Sequence, residues 1–374
     1  MNASRTLIAA ALATTGLAAH AVDLKAGEWD LSIGGIVNAY YTHTSCSGSQ
    51  AVGGVALATQ GLGCGGATGR TVIGNGLLPN ALTTTAKTRQ EGYDISATLM
   101  IGAAVATGDA ISSNSAVDVR QGFLTFGNAD MGTVKLGRDY GLFGSSAILG
   151  DMTLLGAGAP VSATQRGRVT LGHIGSGYTY LGTYGQLAYT LPTSGGFSAT
   201  VALMSPVDAG SLIGRNSPQL QALATAKFDG GKAWLGVKHQ KFEGAGGFTM
   251  NGVELGASVS LGALGLAANV QSGKGLGVLT DGDSGNRKQT NVLLQATWQA
   301  TSKAKFGLNW GESRLKDGAA SNDLRSNSNV TAGLYYGLTK SLTLVGEVSR
   351  TTSKPVAGES ARMNGVALGG IVFF

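Results

Sequence analysis

Along Asn364-Gly-Val-Ala-Leu-Gly-Gly-Ile-Val-Phe-Phe374, Val366, Leu368, Val372 and Phe374 fall on one parity while Gly365, Ala367 and Gly369 fall on the other. Residues two apart in a strand point the same way, so one face of this segment is apolar and the other is built of small residues. The closing aromatic stands where an interfacial girdle would sit. This is the pattern of the last strand of a membrane β-barrel. An edge strand of a soluble sheet alternates too, so the rest of the chain has to discriminate.

Residues 1–21 carry Arg5, an apolar run from Leu7 to Ala19, and Ala19-His20-Ala21, the features of a secretory signal peptide cut after Ala21. The run is too short and too alanine-rich for a spanning helix. The exported part, 22–374, reads as a single barrel domain, because no linker, charge block or composition break divides it. The chain has 27 basic against 21 acidic residues, and only Arg5 leaves with the leader. A positive balance fits nucleic acid, an acidic envelope or an anion path, and export argues against nucleic acid. With 61 Gly, 6 Pro, 13% charged residues and a mean hydropathy of only +0.13, the composition suits strands that are wet on one side and lipid-facing on the other.

Amphipathic segments recur along the chain, separated alternately by short turns and longer polar loops. In 291–299, Val292, Leu294, Ala296 and Trp298 oppose Asn291, Gln295, Thr297 and Gln299. In 303–310, Phe306, Leu308 and Trp310 oppose Lys303, Lys305 and Asn309. Likewise Leu220, Ala222, Ala224, Ala226 and Phe228 oppose Gln219, Gln221, Thr225 and Lys227, and Leu342, Leu344 and Val348 oppose Thr343, Glu347 and Ser349. Segments at 29–41, 80–90, 93–106, 117–127, 132–139, 176–190, 196–205, 218–229, 231–242, 249–261, 263–272, 287–300, 302–313, 327–338, 340–351 and 360–374 give about sixteen strands. That is an even number, as a single-chain bacterial barrel of the outer membrane requires. The expected fold is all-β, a transmembrane antiparallel up-and-down barrel, wide enough to enclose water. The stretch 42–79 has no clear period. Cys46 and Cys64 lie in it, either as a disulfide in an oxidising periplasm or as two unpaired thiols.

One interval breaks the rhythm. After the strand ending at Asp139 come some 35 residues that are too apolar for a solvated loop, with Leu142, Phe143, Ile148, Leu149, Met152, Leu154, Leu155 and Val161. Such a loop should pack against something, and the inside of the barrel is the available place.

Val119-Arg120-Gln-Gly-Phe-Leu-Thr-Phe-Gly127, Asn128-Ala-Asp-Met-Gly-Thr-Val-Lys-Leu-Gly-Arg138-Asp139-Tyr140-Gly141 and Gly150-Asp151-Met152 are similar to the entry into the inward-folded third loop of the general diffusion porins of Gram-negative bacteria. The resemblance implies a homotrimer of water-filled channels for small hydrophilic solutes and ions, without cofactors. It implies a constriction with Arg120 and Arg168 on the wall and Asp151 on the loop, with Arg138 and Tyr140 at the loop root and subunit contact. The chain departs from enteric members in having Thr153-Leu-Leu-Gly-Ala-Gly158 at the loop tip, which removes a second loop acid. With Lys135 and Arg166 also available against Asp151 and Asp139, charges across a narrow lumen predict a weak preference for anions. Expected partners are outer-membrane lipid and lipopolysaccharide, and the barrel-assembly machinery through the C-terminal strand ending in Phe374.

Other motifs carry less. Gly61-Leu-Gly63-Cys-Gly-Gly66 matches a dinucleotide fingerprint without the flanking strand and helix. Gly282-Asp-Ser-Gly285 resembles a protease nucleophile segment, but His43, His173 and His239 stand in no matching motif. Asp281 and Asp283 could hold a cation in an outer loop, although a solvated turn suits them better. No metal site or enzyme activity is expected. The alternatives are a substrate-selective outer-membrane channel, a barrel hydrolase with a rim Ser/His site, or an adhesin with no lumen charges.

Overall fold

The computed structural model describes residues 22–103, 117–161, 170–214 and 216–374. Its first strands are β1 (Val22–Ala26), β2 (Trp29–Gly48), β3 (Gly69–Gly74), β4 (Asn80–Gln90), β5 (Tyr93–Ala103), β6 (Val117–Asn128) and β7 (Gly132–Tyr140). There follow β8 (Thr183–Thr190), β9 (Phe197–Met204), β10 (Gln219–Phe228), β11 (Gly231–Phe242), β12 (Phe248–Leu261) and β13 (Leu264–Lys274). The last are β14 (Lys288–Gln299), β15 (Ala304–Leu315), β16 (Leu324–Gly337), β17 (Leu342–Pro355) and β18 (Ala361–Phe373). From β4 onward each strand pairs antiparallel with the next, and β18 returns to β2 from Ala361↔Gly48 to Phe373↔Ile36, closing the sheet.

Two staves are composite. Beyond the end of β18, Phe374 exchanges backbone hydrogen bonds of 2.7 and 3.1 Å with Gly35, and β1 then continues along the same edge of β2 from Val22↔Ile33. On the other edge, β3 pairs with Tyr40–Ser45 and β4 with Asp30–Ile36, so they form one stave broken at 75–79. Eighteen segments thus make a closed barrel of sixteen strands. Closure matters because in lipid every backbone amide and carbonyl must be satisfied internally.

The alternation read in the sequence holds through the sheet. Leu220, Leu294, Trp298, Leu308, Val348 and Leu368 are exposed on the outside, where lipid would cover them, while Gln221, Asn291, Asn309 and Glu347 are buried on the inside. At one end the strands are joined by tight turns, as at 91–92, 229–230 and 262–263. At the other are longer connections: L1 (49–68), L3 (141–182) and L6 (275–287) are the ones used below.

Two boundaries differ from expectation. Strand β8 opens at Thr183 rather than near 176, because 170–182 is the return limb of L3. In the aperiodic stretch, β2 runs on to Gly48 and β3 occupies 69–74; the outward positions of β2 there are His43, Ser45 and Ser47, which hide the apolar alternation.

Candidate functional site: the channel constriction

L3 leaves β7 and runs along the inner wall, and its described outgoing limb is held by inward-pointing side chains. The amides of Leu142 and Phe143 donate to Gln221 Oε1 of β10 (2.7 and 2.8 Å), and Gly144 N donates to Glu254 Oε2 of β12 (2.7 Å). A short helix, α2 (Ser145–Gly150), carries the chain to β14, where Gln295 accepts from Met152 N and donates to Gly150 O. A 3-10 turn (Met152–Leu155) leads to β17, where Glu347 Oε2 accepts from the amides of Ala157 and Gly158, both at 2.8 Å. On β2, Tyr40 OH donates to Leu155 O (2.5 Å). The break between β3 and β4 is used here too: Leu77 N donates to Gly156 O and Thr170 N to Gly76 O. At the interruption the ladder to the β2 backbone is replaced by these bonds to the loop and by the Asn38 side chain of β2, which accepts from Gly76 N (2.8 Å) and donates to Leu78 O (3.0 Å).

The return limb is pinned through His173. Asp151 and His173 are fully buried, with Nδ1 and Oδ2 3.4 Å apart. Asp151 also accepts from Thr153 N (2.9 Å), Thr153 Oγ1 (2.7 Å), Tyr178 OH (2.7 Å) and Asn309 Nδ2 (3.0 Å). Burial by itself would raise its carboxyl, but His173 and the donors from Thr153 and Tyr178 more than offset this and hold it below its ordinary value. Asp151 therefore ties the two limbs of the loop to β15 rather than presenting a charge to water.

The described residues of L3 thus bond to β10, β12, β14, β15, β17 and β2, and the wall face from β4 to β9 lies between the last two fixings, at β2 and β10. Arg120 lies on that face, on β6, buried and paired with Asp118 at 2.8 Å. Lys135 and Asp139 sit on β7, bonded to each other, and Gln121 Nε2 donates to Asp139 at 2.8 Å. Arg138 has the opposite parity: it lies exposed on the outer surface beside the loop root, donating to Val119 O (3.0 Å) and Thr183 Oγ1 (2.8 Å). Tyr140 turns inward, its hydroxyl 3.9 Å from Met100 Sδ. Arg166 and Arg168 lie outside the described residues. The Phe374 ring is on the outer surface, packed over Gly35.

Three cations at the tight-turn end were not singled out from sequence. Lys227 and Lys232 face each other directly across β10 and β11, and Lys305 of β15 lies 5.4 Å over the Tyr335 ring. None has a carboxylate within ion-pairing distance among the described residues. Alternation put Lys227 and Lys305 inside, but only the register shows that Lys232 is opposed to a like charge.

L6 also folds inward. Asp281 is buried, accepting from Lys238 Nζ (2.6 Å), Tyr184 OH (2.9 Å) and Gln219 Nε2 (2.9 Å). Asp283 accepts from the amides of Val278, Leu279 and Thr280. Asp281 is therefore neither a cation ligand nor part of a solvated turn, whereas exposed Asp283 caps a surface turn as the sequence suggested. Among the described residues no group of three or more His, Cys, Asp or Glu side chains could hold a metal ion.

The family model for the Gram-negative porins matches residues 7–355 of this closed sixteen-strand barrel. The chain belongs to the Gram-negative porin family. Solved structures of the same fold include the anion-selective porin from Comamonas acidovorans, 17% identical with a TM-score of 0.66, covering 93% of this chain and 100% of that one. The outer membrane channel DcaP of Acinetobacter baumannii is 16% identical with a TM-score of 0.69, covering 94% and 99%. Salmonella typhi OmpF in complex with daunomycin is 14% identical with a TM-score of 0.59, covering 94% and 100%. No curated relative matches the sequence. The porin is a diffusion channel of the bacterial outer membrane and not an enzyme. Trimeric forms occur among its structural neighbours.

Proposed function

We propose that this porin passes small hydrophilic solutes with a weak preference for anions. The observation that carries the reading is the uncompensated Lys227–Lys232 pair, with Lys305, on the inner face at the tight-turn mouth. Like charges directly opposite each other are unfavourable in a sheet, and an entering anion relieves that cost where a cation adds to it. Arg120 and Lys135 act further in, each softened by its own aspartate, with Arg166 and Arg168 expected on the same route. The reading includes a homotrimer, with Arg138 at the subunit contact, a signal peptide removed at Ala21, assembly through the strand ending in Phe374, and a lipopolysaccharide surround.

The test is the reversal potential of the refolded protein in a planar bilayer under a salt gradient, for wild type, Arg120→Ala and Lys227→Glu/Lys232→Glu. A shift toward cations in the double variant supports the reading. An unchanged potential removes these lysines from it, and the absence of stepwise openings from a folded barrel defeats the channel itself. A second reading, a substrate-selective channel, is favoured by the burial of Asn309, Asn327 and Gln271 beneath inward-folded loops, which leaves less open lumen than sixteen strands alone enclose.

A further inference from the structure

We propose that residues 51–64 of L1 form a second constriction, held by the Cys46–Cys64 disulfide on the long-loop side of L3, which sets the size limit for solutes. The proposal rests on the channel reading and adds a specificity element that L3 does not supply.

L1 does not stand out in solvent. Cys46 is an inward residue of β2 and is bonded to Cys64, which follows the short helix α1 (Gln60–Gly63). Cys46 N also donates to Thr68 O, so both ends of the segment are fixed to one stave. Its middle hangs on inward side chains of other staves. Leu57 N donates to Asn327 Oδ1 of β16 (3.2 Å), Asn327 Nδ2 donates back to Val55 O (2.8 Å), and Ala58 N donates to Ser353 Oγ of β17 (2.9 Å). Gly63 lies against Met363 of β18. Between these fixings Ala56, Leu57 and Ala58 are fully buried.

The segment therefore crosses the inner face of four consecutive staves, β16, β17, β18 and β2, as a second layer. Leu57 and Val52 belong to one packed cluster with Leu154, Ala159, Val161 and Leu171 of L3. L3 consequently cannot draw back at this side without L1 yielding first. A loop that only stabilised the rim would have no need to bury two alanines and a leucine inside the barrel, where their side chains add bulk to the lumen. The disulfide limits how far the segment can swing from the wall, because it ties Cys64 back to β2 and leaves only residues 59–63 free after the Ala58 fixing.

The experiment compares three forms in planar bilayers and in liposomes: Cys46→Ser/Cys64→Ser, wild type reduced after folding, and Asn327→Ala with the disulfide intact. Single-channel conductance is measured together with the swelling rate in sugars of increasing size. Freeing L1 should raise the conductance by roughly twofold, as expected if the open section of an ohmic pore about doubles, and should admit larger sugars. Asn327→Ala should move both readings the same way with the bond still present. Conductance and size limit unchanged in the reduced protein, with free thiols verified, overturn the proposal even if the protein loses heat stability. Should the serine variant fail to fold, the reduced wild type and Asn327→Ala decide. Failure of the channel reading is distinguishable, since it appears as silence in the untreated wild type.

Discussion

Replacing Glu347 should loosen the tip of L3 without disturbing the barrel. Its Oε2 accepts two loop amides, Ala157 and Gly158, each at 2.8 Å, and its Oε1 accepts from Tyr335 OH at 2.6 Å. Glu347→Ala leaves two buried N–H groups and a phenol without their acceptor, at about 1–3 kcal/mol each. Because water can enter the emptied site and recover part of this, the net cost is about 3–5 kcal/mol. Glu347→Gln keeps a carbonyl oxygen for the two amides, and its NH2 can donate to the Tyr335 oxygen. It loses mainly the charge assistance, about 1–2 kcal/mol. At about 1.4 kcal/mol per factor of ten, the detached tip becomes roughly two to three and a half orders of magnitude more populated in the alanine variant and about tenfold in the glutamine variant. The remaining fixings at Gln221, Glu254 and Gln295 confine the change to the tip. Single-channel recordings should show open-channel noise rising from wild type through Gln to Ala, with closure at progressively lower voltage, while strand content by circular dichroism stays constant. Equal noise in all three proteins, or a glutamine variant as noisy as the alanine variant, would refute the reasoning.

Gly76→Ala should free the same tip by a steric route, since a Cβ there would stand 2.1 Å from Gly156 O and 2.6 Å from the Tyr40 ring. Overpacking at such a site costs about 1–3 kcal/mol, so the variant should be noisy and unfold at lower temperature with its reversal potential unchanged. The Asp151 carboxyl is held below its ordinary value, so its contribution to loop anchoring is present above the unfolded pKa and is lost as pH falls through the lower folded one. Wild-type noise should accordingly stay flat from neutral pH down to about 4, the ordinary carboxyl range, and rise below it, whereas Asp151→Asn should be noisy at neutral pH already. A wild type that becomes noisy near pH 6 would contradict this assignment.

The barrel was legible because its determinant is local. A strand in lipid must be apolar on one side, and the two-residue period that follows can be read within ten residues, as along Val292–Gln299 and Val366–Phe374. Strand number, turn ends and the inward parity of Glu347, Gln221 and Asn309 all followed from it. The composite staves were less legible, since β1 has only five residues and β3 carries no apolar alternation.

What the inward residues hold was not in the pattern. Ala157 meets Glu347 across 190 positions and Ala58 meets Ser353 across 295, and no local period encodes such a pairing. Asp151 reads in sequence as a free acid on a loop, and only folding the loop back on itself surrounds it with His173, Thr153, Tyr178 and Asn309. The sequence alone determined that this chain closes into a water-enclosing barrel, because lipid imposes the period on every strand. The tertiary structure alone decided how that lumen is narrowed, because loops inside a barrel are placed by hydrogen bonds between residues remote in the chain.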